Sequence, residues 1–270
     1  MKSKGLILMI LLSLVTLSFI GMAEIAHDDV IGEVNGKPIY RGGVWWPVAL
    51  IELQNPEVSG ADLTQLDMEN AVTRLHNQIR RILQEEAIDS LGLTADPETV
   101  ESILQERISR LVESTGKSLE ENLALFQRKY LVVDALREAQ ANPGVLEHIF
   151  EEKLEPAGID EDTWDLYVAI YLETPARINE LEEKIPKTVE EMMDYTRGGI
   201  RRHLQYTMLD EYFMGDVNVA VENSPALLES RRAAFLLNAL ENAEVVIHDE
   251  NLIGAVDVMK DELVKKASGS

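Results

Sequence analysis

The stretch Ile31-Gly32-Glu33-Val34-Asn35-Gly36-Lys37-Pro38-Ile39-Tyr40 decides how this chain is read. Asn-Gly between apolar residues is a strong signal for a type I′ hairpin turn, because both central residues of that turn need positive φ. Val34 and Ile39 are the apolar flanks. The stretch therefore predicts a short strand, a tight turn and a second extended piece. Short isolated strands are not stable in water, so this element needs a partner elsewhere. The brief extended run Val245, Val246 and Ile247, far along the chain, is the expected one.

Between these two pieces the pattern is helical. Val44, Val48, Ile51 and Leu53 predict a short helix that stops near Asn55-Pro56. Met68, Ala71, Val72, Leu75, Ile79, Ile82, Leu83 and Ala87 recur at spacings of three and four, which predicts a long amphipathic helix ended by Gly92. Asp96-Pro97 reads as an N-cap with proline at the first helical position. Val100, Ile103, Leu104, Ile108, Leu111 and Val112 form the next stripe, closed by Gly116. Ser118 and Glu121 have the spacing of a capping box and predict a helix that presents Leu123, Phe126, Tyr130, Val133 and Leu136 up to Asn142-Pro143-Gly144.

The second half continues in the same manner. Short helices are expected over 145–154 and 160–172, and a charged one from Pro175 to Ile185. A further helix carries Met192, Met193, Tyr195, Ile200, Leu204, Met208 and Phe213, with an interruption expected at Gly198-Gly199. Val217, Val219 and Val221 alternate as a strand would, and helices follow Pro225 and Asn251. There is no fixed-period repeat and no linker rich in Pro, Gly or Ser.

The first residues read as a secretory leader. Lys2 and Lys4 are its basic start, residues 5–20 are apolar apart from Ser13, Thr16 and Ser18, and Gly21 and Ala23 suit a cleavage site after Ala23. The apolar run is shorter than the roughly 20 residues that span a bilayer, so cleavage is favoured over retention as an anchor. Residues 1–23 are thus expected to be a signal peptide, and the mature chain periplasmic or extracellular. The 270 residues contain no cysteine, which excludes a disulfide scaffold and thiol chemistry. Net charge is −23, or −25 once Lys2 and Lys4 are removed. Such a chain repels nucleic acid and anionic lipid. The acids are spread along the sequence, as expected of a solubilised surface.

Catalytic signals are weak. Glu151-Glu152, Glu182-Glu183 and Glu190-Glu191 read as solvated helix faces in so acidic a chain. His27-Asp28-Asp29 and His248-Asp249-Glu250 contain metal-ligand residue types but read as turn and cap residues. The single Glu24-x-x-His27 falls short of the two such motifs a di-iron bundle needs. No P-loop, no Gly-x-Ser-x-Gly and no Gly-x-Gly-x-x-Gly after a strand is present. No catalytic residue, metal ligand or cofactor is expected. Trp45-Trp46 is the unusual local feature, since two adjacent indoles on one turn cannot both enter the same core.

In this order, the opening strand, the helix ending Leu83-Gln84-Glu85-Glu86-Ala87-Ile88-Asp89-Ser90-Leu91-Gly92-Leu93, the segment Asp96-Pro97-Glu98-Thr99-Val100, and Ser118-Leu119-Glu120-Glu121 leading to Phe126 resemble the N-terminal chaperone domain of SurA-like and PrsA-like exported foldases. The resemblance covers about residues 30–139. Residues 233–249 resemble that family's C-terminal segment, a helix and short strand that return to complete the domain. The resemblance implies a mostly α fold: a multi-helix SurA N-terminal-like domain from residues 30–140 plus 224–267, a small two-stranded β element joining the N- and C-terminal segments, and an inserted helical region over 141–223. Family members usually carry a parvulin-type prolyl isomerase domain at that insertion. Here His148 and His203 sit among helical periodicity and scattered glycines, without a recognisable parvulin pattern.

The function expected on this basis is an exported chaperone or assembly factor that binds unfolded or partly folded envelope or secreted polypeptides without catalysis. The alternatives are a peptidyl-prolyl isomerase with a divergent catalytic region and a dedicated adaptor for one envelope protein. Aromatic and methionine side chains give adaptable contact surface, so Trp45, Trp46, Tyr167, Tyr171, Met192 and Met193 are the candidate client-binding residues, lining an apolar cleft between the N-terminal lobe and the inserted helices. Core filling competes with binding for the methionines. No nucleic-acid partner and no membrane insertion after cleavage are expected, and the sequence leaves monomer and homodimer open.

Overall fold

Val30–Val34 (β1) and Lys37–Tyr40 (β2) form an antiparallel hairpin across Asn35 and Gly36. Both turn residues are left-handed, with φ of 51° and 76°, as a type I′ turn requires. A register shift between Val30 and Gly32 marks a bulge in β1. Val245–Ile247 (β3) pairs antiparallel with the other side of β1, placing Gly32 opposite Ile247 and Val34 opposite Val245. The chain's two distant extended pieces are therefore joined, and the sheet order is β2-β1-β3. The sheet has three strands rather than the two expected, because β2 holds one edge of β1 while β3 takes the other.

The computed structural model describes residues 29–45, 61–172, 175–214 and 225–268. The rest of the fold is helical. In chain order the helices are Ala61–Ser90 (α1), Pro97–Thr115 (α2), Leu119–Gln127 (α3), Lys129–Ala141 (α4), Leu146–Ile149 (α5), Glu161–Tyr171 (α6), Pro175–Glu183 (α7), Val189–Met214 (α8), Pro225–Asn242 (α9) and Ala255–Ala267 (α10). Among the described residues no helix is long and apolar enough to cross a membrane. The leader, most of the short helix expected over residues 44–53, and the alternating valines at 217–221 lie outside the described residues.

Local chemistry sets several of these boundaries. Ser118 caps α3 by accepting from the Glu121 amide at 3.2 Å, and the Glu121 carboxylate accepts from the Ser118 amide at 2.7 Å. Asp160 caps α6 through the Thr163 amide at 2.8 Å. Gly92 and Gly116, both with positive φ, follow the ends of α1 and α2.

Three helical expectations need correcting. The helix that begins at Leu119 is broken at Arg128, where the side chain of Gln127 donates to the Lys187 carbonyl and that of Arg128 to the Ala157 carbonyl. The segment 145–154 is not one α-helix: α5 passes into a π turn over Phe150–Leu154. Conversely, α8 runs unbroken through Gly198 and Gly199. Internal glycines cost about 1 kcal/mol each against alanine, and side chains on either flank offset this. Arg197 bonds Glu101, Glu190 and Asp194, while Ile200 and Leu209 are fully buried.

The described residues form two compact units, one of residues 29–45, 66–97 and 200–268, the other of residues 61–65 and 98–199. One unit contains the sheet, α9 and α10, most of α1 and the end of α8. Its core joins Ile31, Val34 and Ile39 of the sheet to Leu75, Ile79 and Ile82 of α1, Leu236 and Leu240 of α9, and Met259 and Leu263 of α10. The predicted stripe on α1 is thus the buried face, and each Leu or Ile taken from water contributes about 1.5–3 kcal/mol. The other unit contains α3 to α7 with most of α2 and the start of α8. Its core is built from Val132, Val133 and Leu136 of α4 with Ile149, Leu154, Trp164, Ile178, Leu181 and Ile185.

Candidate functional site

In the sheet-containing unit, the quoted stretch is clamped by residues far along the chain. Asn35 at the turn exchanges bonds with Glu244: its amide donates to the Glu244 carbonyl at 2.8 Å, and its side-chain oxygen accepts from the Glu244 amide at 2.9 Å. Its side-chain nitrogen donates to Glu86 Oε2 on α1 at 2.7 Å. Glu86 also lies 3.5 Å from the Lys37 ammonium. Asn35-Gly36 and the Glu85-Glu86-Ala87 helix end, two separate signals in the sequence, therefore form one polar cluster. Gly32 is the close-approach point between strands: a Cβ there would sit 2.8 Å from the Val246 carbonyl oxygen and 2.9 Å from Ile247 Cδ1.

Trp45 belongs to this unit. It is half-buried, packs against the core of sheet, α1, α9 and α10, and its Nε1–H donates to Asp249 Oδ2 at 2.8 Å. The Arg41 guanidinium lies 3.8 Å from the same carboxylate oxygen, and Asp249 Oδ1 accepts from the Asn251 amide at 3.0 Å. Asp249 thus caps the short turn after β3 and fastens it to the segment after β2. Trp46 lies outside the described residues.

The remaining candidates belong to the other unit. Tyr167 and Tyr171, one turn apart on α6, stack with ring centroids 5.7 Å apart, and both pack against the α4 core. Burial pushes the Tyr167 hydroxyl above its ordinary pKa range. Met192 is only 8% exposed and serves as a core residue of α8, while Met193 is half-buried. The structure thus places Trp45 in one unit and Tyr167, Tyr171, Met192 and Met193 in the other.

A cavity of about 330 Å³ lies where α7 turns into α8, lined by residues 183–187 with Glu191 and Tyr195. The turn is tightly held. The Lys187 amide donates to Glu191 Oε2 at 2.6 Å, Thr188 Oγ1 accepts from the Glu191 amide at 3.1 Å, and Gln127 Nε2 donates to the Lys187 carbonyl at 3.1 Å. None of the five sequence candidates among the described residues lines it. Close in sequence to Gln127, Lys129 is largely desolvated, with its ammonium 5.8 Å from the Phe126 ring centroid, and burial pushes its pKa down to about 8.

Among the described residues two polar side chains are fully buried. Asn122 is 2% exposed, and its side-chain nitrogen donates to Thr115 Oγ1, the Lys117 carbonyl and the Ser118 carbonyl, tying the turn between α2 and α3 to α3. His76 is 3% exposed within the sheet-containing unit. Neither stood out in the sequence, because an isolated Asn or His on a helix carries no spacing signal. Among the described residues no group of three or more His, Asp or Glu side chains is disposed to hold a metal ion. No family model, curated protein or solved structure matches this chain.

Proposed function

We propose that the chain is an exported chaperone or assembly factor that binds unfolded or partly folded envelope or secreted polypeptides without chemical catalysis. The observation that supports this reading most is the return of β3 to β1, with Asn35, Trp45 and Asp249 fastening the seam. That closure is what the resemblance to SurA-like and PrsA-like domains leads one to expect. The leader directs the proposal to the periplasm or the cell exterior. Binding would use half-buried aromatic and methionine surface, which adapts to varied apolar segments. Trp45, Tyr171 and Met193 keep part of their surface exposed and are the proposed contacts, with Trp46 beside Trp45 in sequence. Met192 is better assigned to the core.

The test is suppression of aggregation of two unrelated unfolded proteins, run beside a prolyl isomerisation assay. The proposal expects suppression of both clients and no isomerisation. Met193→Ala should weaken client binding by about 1 kcal/mol or more, the threshold of an energetically important contact. Isomerase activity that is lost in His148→Ala or His203→Ala would make the protein an enzyme. Binding to one folded envelope protein, with neither client protected, would make it an adaptor.

A further inference from the structure

We propose that His76 is a pH-sensitive pin that holds the first turn of α10 against α1 while its imidazole is neutral and releases it on acidification. His76 lies on α1, inside the core that α1 shares with the sheet, α9 and α10. Its Nε2 is 2.7 Å from the carbonyl oxygen of Ala255, the first residue of α10. A carbonyl can only accept, so Nε2 carries the proton and donates. In the neutral ring this leaves a lone pair on Nδ1.

The surroundings determine what a second proton would meet. Nδ1 lies 3.8 Å from Glu262 Oε2 on α10, and the Arg80 guanidinium on α1 lies 3.7 Å from the same oxygen. These are the charged groups that face the ring. The sheet and α9 add Ile31, Val34, Ile39, Leu236 and Leu240 to this core, all apolar. Glu262 is 46% exposed, so water screens its attraction for an imidazolium, and Arg80 both competes for that carboxylate and repels the cation. Burial dominates and holds the His76 pKa below its ordinary range.

The sign follows from linkage. Above the ordinary histidine range, the ring is neutral in both the closed and the opened state, and the pin is at full strength. As pH falls through about 6.5, the opened state takes up a proton that the closed state resists. The opening equilibrium then rises by up to about tenfold per pH unit, the limit for one proton. Opening at this point would free the α10 face that carries Ala255, Met259 and Leu263, all buried in the closed state. The pin operates whatever the protein binds.

Two measurements on the full chain test this. The first is NMR titration of the imidazoles from pH 4.5 to 8. The second is amide hydrogen exchange over residues 255–267 at pH 5.5 and 7.0, corrected for intrinsic rates, with α4 as control. His76 should titrate below about 6.5, the ordinary histidine value, and α10 protection should fall up to about tenfold per pH unit while α4 stays constant. His76→Gln should make α10 protection independent of pH in this window. Glu262→Gln, at an exposed position, should lower the His76 midpoint further, and it decides the matter if His76→Gln does not fold. The pin is refuted if His76 titrates at or above about 6.5, or if α10 protection has the same pH dependence in wild type and His76→Gln.

Discussion

The indole nitrogen of Trp45 donates to Asp249 Oδ2 at 2.8 Å, across 204 residues of sequence. This bond changes the reading of both partners. Trp45 is a fastening of the fold as well as a candidate contact, and Asp249 is a cap and anchor within His248-Asp249-Glu250. The Asp249 side chain is only 7% exposed, so an acceptor stripped of its donor there is poorly compensated by water. Trp45→Phe should therefore lower stability by about 1–3 kcal/mol, measured by urea unfolding. A double-mutant cycle with Asp249→Ala should give a coupling of about 1 kcal/mol or more. Additive effects would mean that the bond does not hold the seam.

Gly32 and Gly36 separate two reasons for a glycine. At Gly32 a methyl group would press on the Val246 carbonyl and Ile247, forcing β1 and β3 apart. At Gly36 nothing lies within 4 Å, and only the φ of 76° resists a side chain. Gly32→Ala should cost about 1–3 kcal/mol, as overpacking does, and should speed amide exchange in Val245–Ile247. Gly36→Ala should cost about 1–2 kcal/mol for a left-handed residue and leave that exchange pattern intact locally. Equal exchange profiles for the two variants would contradict the close-approach reading of Gly32.

Gly198 and Gly199 present the opposite case. Both are exposed in mid-helix, neither has positive φ, and a methyl group added at either would meet no atom within 4 Å. Alanine at each should raise stability by about 0.5–1 kcal/mol, visible as a higher melting temperature. A loss of stability would show that α8 needs a backbone form at these residues other than the regular helix.

The turn between α2 and α3 rests on Asn122 more than on its visible cap. Ser118→Ala removes an exposed capping bond and should cost about 1 kcal/mol. Asn122→Ala strips a buried amide that serves three acceptors and should cost about 2–3 kcal/mol. Chemical denaturation of the two variants gives the comparison, and a larger effect at Ser118 would reverse the assignment.

Residues that act through repetition or local chemistry could be read directly. Leu75, Ile79 and Ile82 announce a buried face by their spacing, Ser118 and Glu121 announce a cap, and Asn35-Gly36 announces its own turn. The pairing of β1 with β3 followed from the instability of short strands left alone. Most of what escaped was set by tertiary contact. Asn122 bonds nearby residues but carries no spacing signal; His76 is an ordinary polar residue until Ala255 is brought beside it, and Asp249, legible as a cap, gains Trp45 only in the fold. The break at Arg128 and the continuity of α8 through Gly198-Gly199 were missed for the same reason, since bonds from Gln127, Arg128 and Arg197 to distant partners outweigh local propensity. The candidate site was the least legible part. Of its described residues, Met192 proved to be buried and Trp45 to be bonded, neither of which residue type alone reveals.

Asn35 and Glu244 form their bonds across 209 residues. A chain made from its N-terminus delivers β1 well before β3. At synthesis rates of about 5–20 residues per second, the free edge of β1 waits roughly 10–40 s for its partner. Contacts of such long range also slow folding once the chain is complete. During that interval β1 is an unpaired edge, open to any passing strand. The short length of β1 and the bulge beside Val30 limit what can dock there, so the nascent chain carries its own protection until Val245 arrives.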